Sequence, residues 1–242
     1  MQFTDSHNHL QDYKTKNTQQ IITDLRHNNF FGIICVSSQI EDFSKVAEFY
    51  NKAPDIITPA FGIHPWHHNT APSDWLTTTA TYLKKYQHAI IGECGIDRIK
   101  GGNLARQIAF FRAHIQLSTE LHRPLNIHLV HGEDIFAQFL KEIKENFMLH
   151  SFSGSLQFLQ QVIRHGAYIS VNQKLLAKPS AADIITNIPL SQILVESDAP
   201  YQSDYLDIPS LIAKLATVIN ISPEQLTSQI KQNFQKFTKK SP

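Results

Sequence analysis

The segment Asp5-Ser6-His7-Asn8-His9 sets two imidazoles two residues apart, and residues two apart on an extended strand project to the same side. His7 and His9 can therefore aim both rings at one ion. Further along the chain, His64, Glu93, His128, His150 and Asp198 each fall at the end of a short apolar run. Imidazole and carboxylate are the groups that bind Zn²⁺, Mn²⁺ and Mg²⁺. Each residue alone has an ordinary explanation: His-x-His recurs by chance, a buried Glu is often ion-paired, and an Asp after a strand commonly caps a turn. Their joint placement has no such explanation. Polar groups ending so many buried strands must meet something that satisfies them.

Six side chains, His7, His9, Glu93, His128, His150 and Asp198, are too many for one tetrahedral ion and suit two divalent cations, expected about 3.5–4 Å apart. Glu93 is the natural bridge, because a carboxylate offers two oxygens and a neutral imidazole one free lone pair. Such a pair of cations makes a nucleophile of water at neutral pH and stabilises in-line displacement at phosphorus. Asp198 is the group expected both to bind one ion and to take the nucleophile's proton. The mixed His and carboxylate set leaves Zn, Mn and Mg all open.

These residues need a frame that gathers strand ends at one place. Strand-like runs span 3–9, 32–38, 56–64, 89–95, 125–130, 147–152, 167–172 and 193–200, each bounded by turn-forming residues. Between them lie helix-like stretches at 18–28, 41–52, 73–86, 103–122, 133–145, 155–165, 180–187 and 207–219. Ser222-Pro223 reads as an N-cap with proline at the first helical position, opening a last helix over 223–237. Eight strand–helix pairs in 242 residues predict an α/β fold, a TIM-type (β/α)₈ barrel forming a single domain over 1–242. A doubly wound open sheet is disfavoured, because no glycine-rich loop follows the first strand. In a barrel, catalytic groups sit at the C-terminal strand ends, where all seven candidates fall. The other eight of the thirteen histidines fall mostly on helices and loops, where a solvated or packed imidazole is ordinary.

Composition narrows the function classes. With 22 Lys+Arg against 21 Asp+Glu the formal charge is +1, which argues against holding nucleic acid by bulk electrostatics. Hydrophobic residues at 42% and charged ones at 18% describe a folded, non-fibrous chain. Cys35 and Cys94 alone cannot form a disulfide framework and suit a reducing cytoplasm. The first residues show no signal-peptide pattern, no apolar run reaches the ~18 residues of a membrane helix, and the terminal TKKSP is expected to fray. A cytoplasmic protein with neither a membrane nor an obligate protein partner is the expectation.

The segments Asp5-Ser6-His7-Asn8-His9, Phe61-Gly62-Ile63-His64-Pro65, Ile91-Gly92-Glu93-Cys94-Gly95-Ile96-Asp97, His128, His150-Ser151-Phe152-Ser153-Gly154 and Glu196-Ser197-Asp198-Ala199-Pro200-Tyr201 resemble, in order, those of the TatD family of metal-dependent deoxyribonucleases. The resemblance implies a TIM barrel of the amidohydrolase superfamily. It makes His7, His9 and Asp198 ligands of one ion, Glu93 the bridge, and His128 and His150 the completion of the second site. It also turns His64 toward substrate phosphate. The implied activity is hydrolysis of DNA phosphodiester bonds from the 3′ end in the cytoplasm.

Two stretches depart from the family pattern. A basic-acidic pair usually follows the histidine at 128, where this chain has Leu129-Val130-His131, and an arginine-bearing loop usually follows ESDAPY, where it has QSDYLDIP. Both changes remove positive charge while the ligand set is intact. A DNA or oligonucleotide substrate is thus expected to be weakly held, mainly by the metals and His64. A barrel hydrolysing a small amide or ester, and a non-catalytic metal-binding barrel, are the alternative readings.

Overall fold

The computed structural model describes residues 1–239; Lys240, Ser241 and Pro242, the end of the segment expected to fray, lie outside the described residues. Eight parallel strands run in sequence order around a nearly closed barrel: β1 (Phe3–Asn8), β2 (Phe30–Val36), β3 (Ile57–Phe61), β4 (Ile90–Asp97), β5 (Leu125–Val130), β6 (Phe147–Leu149), β7 (Tyr168–Val171) and β8 (Ile193–Val195). The connections carry α1 (Thr18–His27), α2 (Phe43–Lys52), α3 (Trp75–Lys85), α4 (Leu104–Leu121), α5 (Glu133–Phe139), α6 (Leu156–Arg164), α7 (Gln173–Leu176), α8 (Ala181–Ile185), α9 (Ile208–Val218) and α10 (Pro223–Thr238). Several helices start where a side chain accepts from an orphan backbone N–H: Asn17 from Gln20, Ser155 from Phe158 and Ser222 from Gln225. The Ser222-Pro223 start is as the sequence indicated.

The core has two parts. Strand residues such as Ile33, Cys35, Ile91, Cys94, Ile127 and Val195 pack outward against the helices. Ile34, Val36, Ala60, Ile90, Met148 and Leu194 form a separate apolar cluster with Phe234 and Phe237 of α10, which closes the floor of the barrel. Above that floor the interior turns polar. Ser6 and Ser170, on the non-adjacent β1 and β7, place their hydroxyls 2.6 Å apart. Along β4 the pairing with β5 slips between Ile91 and Cys94, so that Cys94 and Ile96 pack outward while Glu93 and Asp97 face the interior.

β3 and β6 each end three residues before the expected bound, α7 was not expected, and β8 and α5 depart furthest from the sequence expectation. β8 ends at Val195 instead of 200, because Glu196–Pro200 turns off the ladder to close the barrel. Asp198 adopts a left-handed φ of 50°, its N–H donates to the His7 carbonyl at 3.0 Å, and His9 N–H donates to the Ala199 carbonyl at 2.8 Å. α5 stops at Phe139 instead of 145, in a turn where Glu142 and Ile143 N–H both donate to the Phe139 carbonyl.

Gly95 shows how tightly the mouth is built. It sits opposite His128 at φ 145°, and a Cβ there would lie 1.9 Å from the His128 carbonyl oxygen. Gly166 is also left-handed, at φ 82°, with nothing within 4 Å of a Cβ. Gly166→Ala is therefore expected to cost only backbone strain, about 1–2 kcal/mol. Gly95→Ala must push apart two backbones and is expected to cost at least about 4 kcal/mol. Urea unfolding of both variants checks this, and equal losses would refute it.

Candidate functional site

At the C-terminal mouth all seven predicted side chains meet around one buried carboxylate. Glu93 Oε2 lies 3.4 Å from Nε2 of both His7 and His9. Its Oε1 lies 2.8 Å from His150 Nε2, 2.9 Å from His128 Nδ1 and 3.3 Å from His64 Nε2. Asp198 Oδ1 completes the first group, 3.8 Å from His7 Nε2 and 3.7 Å from His9 Nε2. The two oxygens of Glu93 thus face two different sets of nitrogens, as a bridging ligand's would.

The donor set fits divalent cations. His7 Nε2 and His9 Nε2 converge to 3.1 Å, and His128 Nδ1 and His150 Nε2 to 3.0 Å. Two ring nitrogens at such distances need a proton or a cation between them. His150 Nδ1 and Glu196 Oε2 are buried with no hydrogen-bond partner. His7, His9 and Asp198 bring one ligand atom each into a single compact group, as do His64, Glu93 and His128.

Hydrogen bonds decide which nitrogen of each ring is free. His7 Nδ1 donates to Asn126 Oδ1 at 2.9 Å, which leaves the Nε2 lone pair for the first group. His128 Nε2 donates to Asp97 Oδ2 at 3.2 Å, which leaves Nδ1 for the second. His64 is the opposite case. Its Nδ1 accepts from the backbone N–H of Trp66 at 3.0 Å, so Nε2 carries the proton and points into the site as a donor. That distinguishes a substrate-facing histidine from a ligand, although all three rings approach Glu93.

Burial alone would raise the Glu93 carboxyl, but His64, His150 and His7 together hold it well below the usual carboxylate range. Burial likewise disfavours charged imidazolium. At His64 it wins, aided by His128 and His150 against Glu93, and the ring falls to about 4, neutral at pH 7. At His150 burial is outweighed by Glu93 and Glu196, and the ring rises well above its ordinary value.

Sequence reasoning missed several participants. Asn126, Asp97 and Glu196 are buried, and Glu196 Oε1 accepts from Ser151 N–H at 2.6 Å and from Asn172 Nδ2 at 3.1 Å. The signal was available, because Asn126 and Glu196 each precede a predicted ligand by two residues and Asp97 follows Glu93 by four. Asn126 and Asp97 therefore share a strand face with His128 and Glu93. Gln202 Nε2 donates to Asp198 Oδ2 at 2.5 Å, which leaves Oδ1 for the histidines. Among the histidines set aside, His114 is buried, and its Nε2 accepts from Ile63 N–H beside His64. His131 is exposed on the rim of the cleft.

The cleft has a volume of about 670 Å³. It is also lined by Lys100, after β4, and by Lys174 and Lys178, after β7. None of the three ammonium groups has a hydrogen bond or ion pair among the described residues. The lysines lining the cleft therefore come from loops other than the two segments that depart from the family pattern.

Asp97 holds His128 through its protonated Nε2, opposite the free Nδ1, and such partners tune affinity without touching the metal. Asp97→Asn is expected to weaken binding of Mn²⁺ or Zn²⁺ about 10–100-fold. Calorimetric titration measures it, and parental affinity would show that Asp97 is only a structural anion.

Residues 4–239 match the family model described as TatD related DNase. An uncharacterized metal-dependent hydrolase of Buchnera aphidicola is 29% identical over 252 aligned positions, covering 96% of this chain and 94% of the relative. A 3′-5′ ssDNA/RNA exonuclease of Erwinia tasmaniensis is 24% identical, covering 77% of this chain and 74% of the relative. A TatD homologue from Escherichia coli K12 superposes with a TM-score of 0.87 at 21% identity, covering 97% of both chains.

Proposed function

This chain belongs to the TatD family of metal-dependent hydrolases, and we propose that it removes nucleotides from the 3′ end of single-stranded DNA with two divalent cations. The observation that carries the reading is the division of the Glu93 carboxylate between two sets of imidazoles. His7, His9 and Asp198 would hold one cation, His128 and His150 the other, and Glu93 both. Bound there, the cations supply Lewis-acid polarisation of a phosphoryl oxygen and a lowered pKa for water.

The chain's own residues do the rest. Neutral His64 presents Nε2–H toward Glu93 Oε1 at 3.3 Å and can donate instead to a phosphoryl oxygen of the substrate. Asp198, held by Gln202, keeps one oxygen beside His7 and His9, where it can accept the proton of the attacking water. Lys100, Lys174 and Lys178 supply outlying positive charge for the phosphate backbone. The cytoplasm is the proposed site of action. No described helix is long and apolar enough to cross a membrane.

Hydrolysis of a short single-stranded DNA with Mn²⁺ tests the reading. Parent protein is expected to cleave it progressively from the 3′ end and to stop with chelator. Glu93→Ala should abolish turnover while keeping a cooperative unfolding transition; near-parental turnover at saturating Mn²⁺ would make Glu93 structural.

Salt dependence tests how the substrate is held. With three lysines at about 0.7 each for single strands, log(kcat/KM) should fall with log[salt] no more steeply than about −2. His64→Ala should cost more than replacing any one of those lysines by Gln. A steeper slope, or a fast His64→Ala enzyme, would overturn this account.

A further inference from the structure

Large apolar side chains left in water are few in this protein, and three of them, Trp66, Ile99 and Tyr201, border the cleft. Trp66 is the best held. Its indole Nε1–H donates to Asp97 Oδ2 at 2.6 Å, and its backbone N–H donates to His64 Nδ1. Its ring stands edge-on to the His64 ring at 4.7 Å between centroids and lies 6.4 Å from that of His128. Lys100 Nζ sits 4.8 Å from the ring centroid. Even so, the residue is 46% exposed.

An indole fixed at one edge by a carboxylate, with an ammonium group over the ring and nearly half its surface in water, is held by polar contacts and not by packing into the core. A planar ring already immobilised loses little entropy on stacking a second ring. Its distance from His64 and His128 puts it within one nucleotide's reach of the phosphate these residues would face. An ammonium group beside it suits the neighbouring phosphate. Aromatic platforms beside cations are how single strands are gripped without sequence preference, since every base has a π-face.

We infer that Trp66 is a base-stacking platform, holding the base of a nucleotide adjoining the cleaved bond and thereby setting a preference for unpaired ends. This rests on the phosphodiesterase reading above. A paired base is already stacked and cannot lie on the indole, whereas a frayed or single-stranded one can. Pinning by Asp97 also ties the platform to His128, because the same carboxylate oxygen accepts from both.

The test uses short single-stranded oligonucleotides, in DNA and RNA form, each intact or lacking one base on either side of the cleaved bond. kcat/KM is measured with Mn²⁺ for parent, Trp66→Ala and Trp66→Phe. Loss of the base at one of the two positions is expected to slow the parent about 5- to 150-fold in whichever polymer it cleaves. Trp66→Ala should cleave intact and abasic strands within about twofold of each other. Trp66→Phe, which keeps a ring but lacks the N–H, should retain most of the discrimination. Three results overturn the inference: a parent indifferent to the missing base, a Trp66→Ala variant that discriminates as the parent does, or equal loss in the Ala and Phe variants. The last would assign Trp66 to positioning Asp97 alone. A parent that cleaves no oligonucleotide at all would remove the phosphodiesterase reading itself, a distinct result from cleavage without base preference.

Discussion

A carboxylate sealed from water must be met by positive charge or by donors, or it will take up a proton. Glu93 is almost fully buried, with His7 and His9 facing one oxygen and His64, His128 and His150 the other, and where a ring turns a lone pair to it, as His7 and His128 do, a proton or a cation must lie between. Each of those rings then has its far side to satisfy. Asn126 accepts from His7 and Asp97 accepts from His128, while Trp66 donates to His64. The polar upper half of the barrel is a chain of such obligations spreading outward from one charge. Below it, Phe234 and Phe237 keep the floor dry.

The same residues hold the barrel together. β1 and the segment after β8 join through Asp198 N–H to the His7 carbonyl and His9 N–H to the Ala199 carbonyl, so the joint between first and last strands is made by the backbone that carries the candidate ligands. Asp5 reinforces it by accepting from both the N–H and the hydroxyl of Ser197. Burial raises the Asp5 carboxyl to about 7, against the hydrogen bonds from Asn8, Ser197 and His7 that lower it. Closure of the barrel and the candidate metal centre are therefore not separate features of the fold.

The cleft outside this centre is built from loops with no part in the ligand set. Lys174 and Lys178 belong to the short α7 region, Lys100 and Ile99 to the turn after β4, and Trp66 to the turn after β3. A polar centre on strand ends ringed by loops lets one chemistry serve different substrates, as barrel architecture generally permits. In this chain the lysines that line the cleft lie on loops other than the two segments that depart from the family pattern.

Alternating apolar runs and helical periodicity were enough to place all eight strands, because buried parallel strands and amphipathic helices leave strong local patterns. The candidate ligands were legible for a related reason: a polar residue ending an apolar run is conspicuous, and the seven candidates gather at six strand ends. Other features depended on contacts between distant segments. The slip in β4 that turns Glu93 inward depends on β5, and the early end of β8 depends on hydrogen bonds to β1 nearly the whole chain away. Which nitrogen of His7, His64 or His128 is free depends on Asn126, Trp66 and Asp97, whose roles no local spacing states. The sequence by itself determined the barrel and the identity of the candidate ligands, since both are written in local residue type and period. Only the tertiary structure decided their division around Glu93, the tautomers and the walls of the cleft, because these follow from distances between strands and loops that the chain brings together only on closing.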